Sequence, residues 1–159
     1  AFGLELLVSD PFVAEKVEEE YGVKLVSLEE LMKNSDFISV HVPLNKNTKH
    51  MISSAEFELM KESAFIINTA RGAVIDEAAL IKALQEKKIA GAGLDVTEEE
   101  PIQQHNPLLK MDNVIINPHV GWYSEDALVE LKRRAAQGVA DVLTSKEPKY
   151  LVNQEVLHK

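Results

Sequence analysis

The sequence contains no cysteine. That excludes disulfides and thiolate metal centres, and it fits a reducing compartment, so the expected location is cytoplasmic. No apolar run approaches the ~20 residues of a membrane-spanning helix. No signal peptide is read at the start, because Ala1-Phe2-Gly3 leads straight into structured-looking sequence. No Met opens the chain, so Ala1 need not be its true beginning. Basic charge is scarce: 17 Lys and Arg stand against 26 Asp and Glu, a formal net charge of −9. Nucleic acid and anionic membranes reward the opposite sign, and neither is an expected partner. The five histidines show no zinc-like spacing, and no metal is expected.

What is present is ordinary for a globular fold. A chain of 159 residues, 45% apolar, can bury one sizeable core. Short apolar runs at 4–9, 23–26, 37–42, 64–68, 90–96 and 114–117 read as strands. Between them lie amphipathic stretches. One spans 12–21 with Phe12, Val13 and Val17 inward, stopped by Gly22. Another spans 28–33, opened by a Ser27/Glu30 capping box. A short helix to Met60 starts at Ser53 or Ser54, and a helix at 77–88 starts at Asp76 with Leu80, Ile81 and Leu84 as its stripe. A long helix starts at Ser124 and runs to about Leu143. Residues 98–110 read as an acidic, proline-punctuated loop, and Gly91 and Gly93 mark a strand that a neighbour approaches closely. Strands alternating with helices predict an α/β fold with a parallel sheet and helices on both faces.

The polar residues gather where strands end. Asp10, His41 with Pro43, Asn68 to Arg71, Asp95 and His119 follow the first, third, fourth, fifth and sixth strands. In a parallel sheet such ends share one edge, which is where ligands sit. Arg71 carries a planar, permanent charge suited to a carboxylate, and its plainer role is a helix-start arginine paired with surface acids. Asp10 suits a ribose diol, or equally an N-cap for the next helix. The ribose role favours NAD over NADP, because no arginine follows to meet a 2′-phosphate. His119 can give and take a proton near neutral pH, or simply pack under the following helix. Glu98, Glu99 and Glu100 read as a solvated loop, although a carboxylate there could hold His119 protonated. His41 reads as structural, and His50, His105 and His158 as surface residues.

Taken in order, Asp10-Pro11, His41-Val42-Pro43-Leu44, Asn68-Thr69-Ala70-Arg71-Gly72, Gly93-Leu94-Asp95-Val96, Glu100-Pro101 and Pro118-His119-Val120-Gly121 resemble the D-isomer-specific 2-hydroxyacid dehydrogenases. That family includes phosphoglycerate dehydrogenase, glyoxylate reductase, D-lactate dehydrogenase and the C-terminal-binding corepressors. The likeness runs from about Leu4 to Val156. It implies an NAD-dependent oxidoreductase that interconverts a 2-keto acid and a D-2-hydroxy acid on a Rossmann-like, doubly wound sheet. It implies that Arg71 holds the substrate carboxylate and carbonyl, that His119 is the acid–base group, and that Glu100 orients it. It further implies that Asp10 binds the adenosine ribose and Asp95 the nicotinamide carboxamide. Pro11, His41, Val42, Pro43, Thr48, Thr69, Ala70, His119 and Gly121 would flank the cofactor. Trp122 departs from the small residues common after the histidine and would favour a small or apolar keto acid. A homodimer through this domain is implied as well.

The resemblance also implies an absence. Family members begin with a substrate-binding domain, then enter the cofactor domain through a strand and a Gly-x-Gly-x-x-Gly turn, and no such turn is in these 159 residues. The chain is therefore expected to be a partial cofactor domain, with Ala1-Phe2-Gly3 matching the end of the first helix. In the 3-2-1-4-5-6 strand order the missing strand is central. Its absence would leave the 4–9 and 37–42 strands about 10 Å apart, with unpaired edges. Weak or no catalysis is expected of the 159 residues alone. The rival readings are an NAD(H)-sensing, corepressor-like binding protein and an inactive remnant that only dimerises.

Overall fold

In a computed structural model, residues 3–14 and 16–155 are described. Six parallel strands alternate with helices, as the pattern predicts. Strand β1 (Leu7–Val8) leads to α1 (Lys16–Tyr21), β2 (Lys24–Leu25), α2 (Leu28–Asn34) and β3 (Phe37–Val40). Then follow α3 (Ser54–Leu59), β4 (Phe65–Asn68), α4 (Glu77–Gln85), β5 (Gly91–Leu94), β6 (Val114–Ile116) and α5 (Glu125–Leu143). Among the described residues, 3-10 turns at Gly72–Val74 and Pro107–Lys110 follow β4 and precede β6. Neither was expected, since three or four residues carry no helical period.

The strands form two sheets, β1–β2 and β3–β4–β5–β6. Among the described residues no backbone ladder joins them, so β1 and β3 each keep one edge outside any ladder. This is the break expected where a central strand is wanting. Within the larger sheet the register runs Val40↔Asn68↔Leu94↔Ile116, so four chain segments leave the sheet side by side.

Side chains alternate strictly across that sheet. Ile38, Val40, Ile66, Ala92 and Leu94 face a core shared with Met32 of α2, Phe57 of α3 and Leu80, Ala83 and Leu84 of α4. The opposite face carries exposed apolar side chains among the described residues. Phe37 is 64% exposed and Ile115 71%. Phe37 and Phe65 stack there with ring centroids 5.7 Å apart. Gly91, beside Phe65 in register, is required: a Cβ would stand 2.5 Å from the Asn113 carbonyl oxygen. Gly93 is not, since a Cβ there would meet only Ile67 at 3.8 Å.

The helix starts follow the sequence closely. Ser27 Oγ accepts from Glu30 N–H at 3.1 Å, and Asp76 Oδ1 from Ala79 N–H at 3.1 Å. Ser124 Oγ accepts from Ala127 N–H at 3.0 Å. One start is corrected. The first helix begins at Lys16 rather than Phe12, and Phe12 is 94% exposed. Asp10 is the reason: its Oδ1 accepts the Phe12 N–H at 2.8 Å, turning the backbone before a helix can form. Asp10 therefore closes an Asx turn and is not the N-cap of the next helix. By contact density the described chain divides into two compact units, one ending at His119 and one beginning at Val120.

Candidate active site

The sheet register brings the ends of β4, β5 and β6 to one edge, and the polar residues after them are tied together step by step. Asn68, buried at the end of β4, is the first tie. Its Nδ2 donates to the Arg71 carbonyl at 3.0 Å and its Oδ1 accepts from Ala70 N–H at 3.0 Å. The 69–71 segment is thus folded over the strand end by one amide. Asp95 N–H donates to the Asn68 carbonyl at 2.9 Å, which docks the end of β5 against the same residue. Asp95 itself is a buried carboxylate, 6% exposed.

Gly72 is the second tie. A Cβ at this position would lie 1.9 Å from the Thr97 carbonyl oxygen, so only glycine lets the two backbones touch. Beyond Thr97 the chain turns so that Thr97 N–H donates to Glu100 Oε1 at 3.2 Å. The other carboxylate oxygen, Oε2, lies 2.8 Å from His119 Nδ1. A carboxylate on Nδ1 fixes the ring's orientation. His119 adopts φ +56, a left-handed conformation in which histidine is enriched among non-glycine residues.

The acidic run is an exposed loop, as expected, but its carboxylates are also engaged. Glu98 Oε1 lies 2.6 Å from His50 Nε2, and Glu98 Oε2 accepts from Glu77 N–H at 3.2 Å. Glu98 N–H donates in return to Glu77 Oε2 at 2.9 Å, and Glu99 bonds Gln103. All three glutamates have partners, and His50 is not merely a surface residue. The pairing was hidden because 48 residues separate His50 from Glu98. His105 is exposed as expected, and His158 lies outside the described residues.

The remaining candidates are placed as follows. Arg71 is exposed, and its Nη1 donates to the Ala70 carbonyl at 2.6 Å. His41 leaves β3 with its Nε2 2.8 Å from Ser39 Oγ. Thr48 Oγ1 donates to the Pro43 carbonyl at 2.5 Å and accepts from Asn45 N–H at 2.8 Å, closing the 43–48 turn. Asp10 and Pro11 follow β1 in the smaller sheet. Gly121 and Trp122 belong to the second unit, where Trp122 meets Tyr123 edge-to-face with centroids 5.6 Å apart. No group of three or more His, Asp or Glu among the described residues could hold a metal ion. No helix among them is long and apolar enough to cross a membrane.

Comparison with known proteins bears on this arrangement. Residues 1–121 match the family described as "D-isomer specific 2-hydroxyacid dehydrogenase, NAD binding domain". The chain is 44% identical over 156 residues to a glyoxylate reductase of Korarchaeum cryptofilum, covering 98% of this chain and 47% of that protein. It is 45% identical over 154 residues to a D-3-phosphoglycerate dehydrogenase of Methanocaldococcus jannaschii, covering 96% and 29%. Among solved structures, a D-lactate dehydrogenase from Aquifex aeolicus, complexed with NAD and lactic acid, superposes with a TM-score of 0.82 at 37% identity. That match covers 91% of this chain and 47% of the other. The chain thus spans half or less of the length of the relatives it matches.

Proposed function

The chain belongs to the D-isomer-specific 2-hydroxyacid dehydrogenases, and from that premise we propose that it is the cofactor-side domain of an enzyme interconverting a small 2-keto acid and its D-2-hydroxy acid. The observation that carries this reading is the chain of contacts Asn68–Arg71–Gly72–Thr97–Glu100–His119. It brings the Arg71 segment and an imidazole paired with Glu100 to one sheet edge, which supports this reading. Residues 1–159 make up the domain in this reading, and the substrate-binding domain lies in another part of the protein.

The donor set suits NAD. A buried carboxylate at the end of β5 accepts hydrogen bonds from an amide such as the nicotinamide carboxamide, which is the role given to Asp95. Asp10, with Pro11, stands at the end of β1, the position of the ribose-binding acid in dinucleotide folds. The 41–43 backbone, Thr48, Thr69, Ala70 and Gly121 complete the cofactor's surroundings. When bound, the nicotinamide supplies the hydride.

The chain's own residues handle the charge. Reduction of a ketone builds negative charge on its oxygen. Arg71 binds the substrate carboxylate and stabilises that oxygen electrostatically. His119 gives the proton from Nε2, because Nδ1 is held by Glu100. In the reverse direction His119 takes the proton back. Trp122 lies one residue beyond Gly121 and narrows the choice toward small or apolar keto acids. In this reading the assembly is a cytoplasmic homodimer.

The test is NADH oxidation by the full-length protein across pyruvate, glyoxylate, hydroxypyruvate and phosphohydroxypyruvate, run beside Arg71→Ala and His119→Ala. Turnover of one acid, lost by a factor of 100 or so in each variant, is the expected result. NADH binding with no turnover on any acid would replace the enzyme reading with an NAD(H)-sensing one.

A further inference from the structure

The site includes a second histidine–glutamate pair that the proposed chemistry does not use. Glu98 holds His50 as Glu100 holds His119, at 2.6 and 2.8 Å. The two glutamates are alternate residues of one strip, and both histidines adopt left-handed backbone, φ +52 and φ +56. One pair sits where a ligand would be met. The other sits against the start of α4.

We infer that Glu98 is a positioning residue: clamped by His50 and by the first turn of α4, it fixes the 97–100 strip and thereby keeps the Glu100 carboxylate on His119 Nδ1. The inference rests on the reading of His119 as the acid–base group. Its geometry is a closed circuit. Glu98 and Glu77 exchange two backbone-to-carboxylate hydrogen bonds, Glu77 N–H to Glu98 Oε2 at 3.2 Å and Glu98 N–H to Glu77 Oε2 at 2.9 Å. Glu77 Oε1 accepts from Asn106 Nδ2 at 2.7 Å, and Asn106 Oδ1 accepts from Leu108 N–H at 3.0 Å. The far end of the 98–110 loop is therefore tied to the same helix residue as its near end.

His50 is anchored independently, its N–H donating to the Ala73 carbonyl at 2.8 Å in the turn that follows Arg71. So Glu98 links the Arg71 segment, α4 and the Glu100 strip. Thr97 cannot retreat from Gly72 while Glu98 is held, and Glu100 is bonded to Thr97 N–H. Hydrogen bonds to a carboxylate are about twice as strong as neutral ones. The helix N-terminus, with its orphan N–H groups and positive dipole end, favours the Glu98 charge.

A purely structural network would lower stability when broken and leave the His119 ring undisturbed. The measurement is therefore made on that ring. In the full-length protein labelled with ring-¹⁵N histidine, the hydrogen-bonded Nδ1–H of His119 is observed by NMR and assigned by its loss in Glu100→Ala. The exchange of that proton with solvent is then followed. Glu98→Ala is expected to speed it about tenfold or more, and Glu98→Gln, which keeps an oxygen acceptor, to restore most of the protection. His50→Asn, tolerated at positive φ, is expected to speed it by a smaller factor. It carries the test if Glu98→Ala does not fold. Exchange at the native rate in the folded variant overturns the inference. Failure of the native protein to turn over any 2-keto acid counts against the dehydrogenase reading alone, because the Nδ1–H signal is read without turnover.

Discussion

The larger sheet and the long helix α5 are built from similar residues and stabilised in opposite ways. In the sheet and its helices, Ile38, Ile66, Phe57, Leu80 and Leu94 are sealed from water. Helix α5 is more than twice as long as α4 and amphipathic, yet none of its 19 residues is buried. Val129, Leu131, Val139, Val142 and Leu143 all stand exposed along it. Its described side-chain bonds are mostly local, with one longer link from Arg134 Nη1 to the Tyr150 hydroxyl at 3.1 Å. Ser124 caps its start, Glu130 reaches Arg133 and Arg134, and Gln137 Nε2 donates to Asp141 Oδ1 at 2.8 Å. The difference teaches that periodicity specifies a helix but not what covers it. Most helical stability in proteins comes from packing one face, and among the described residues α5 has no buried residue on either face.

The comparison breaks most visibly under truncation. Leu80→Ala is expected to cost about 2–5 kcal/mol, because a sealed side chain leaves a cavity beneath the sheet. Val139→Ala, at a site 62% exposed, is expected to stay within about 0.5 kcal/mol. Denaturant unfolding of both variants of the full-length protein, read against the parent, decides it. A Val139→Ala cost near that of Leu80→Ala would mean that α5 is buried in the working assembly. Next in size is Gly72→Ala. A methyl 1.9 Å from the Thr97 oxygen forces the backbones apart, at about 1–3 kcal/mol by the usual scale of overpacking. Turnover should fall further than stability, since the same contact spaces Arg71 from Glu100. Parallel melting and kinetic measurements separate the two, and a variant that melts early with native kcat would refute the spacing role.

The sheet was legible in the sequence because each strand is a short apolar run ending in a polar residue. Asn68 ends β4 in register with Leu94, Asp95 directly follows β5, and His119 follows β6. The helix caps Ser27, Asp76 and Ser124 were legible for the same local reason: a single side chain satisfies an N–H within three residues. Three features resisted. The Phe12 start failed because Asp10 competes for the backbone before the helix begins, and apolar spacing does not register an Asx turn. The exposure of Phe37 and Ile115 on the sheet's other face was not foreseen, because alternation marks two faces without saying what lies on each. The His50–Glu98 and Gly72–Thr97 contacts failed because their partners lie 48 and 25 residues apart, and only the fold brings them together.

Smaller effects sharpen the contrast at helix starts. Asp76 accepts the Ala79 N–H, then the Ser53 hydroxyl, and these bonds hold its carboxyl below the usual aspartate range. A carboxyl with a lowered folded value stabilises the fold above its unfolded value and loses that contribution as pH falls through the folded one. Asp76→Ala is thus expected to cost about 1 kcal/mol at neutral pH, and the gap to the parent should close as pH falls below about 4. Asp76→Asn, which keeps the cap without the charge, should sit between them at pH 7. Melting temperatures at pH 7 and pH 3 give the answer, and a gap that persists unchanged at pH 3 would show that the charge contributes nothing.

The smallest expected effect lies in α5. Glu130 takes two bonds from Arg133, at 2.7 and 2.8 Å, and one from Arg134 at 2.5 Å. These guanidinium groups, Arg133 first, lower its carboxyl to about 2. The three side chains lie on the helix surface, where paired charges are open to salt and add little to stability. The prediction is therefore one of titration rather than of folding. Carboxyl NMR should find Glu130 titrating near 2 at low salt and moving up toward the usual glutamate value in 1 M salt. Arg133→Gln should raise it further than Arg134→Gln does, while the melting temperature stays close to the parent's in both. If either substitution melts the protein early, the pair is shielded from solvent. Helix α5 would then be held by tertiary contacts as the sheet is, and the distinction between the two regions would fail.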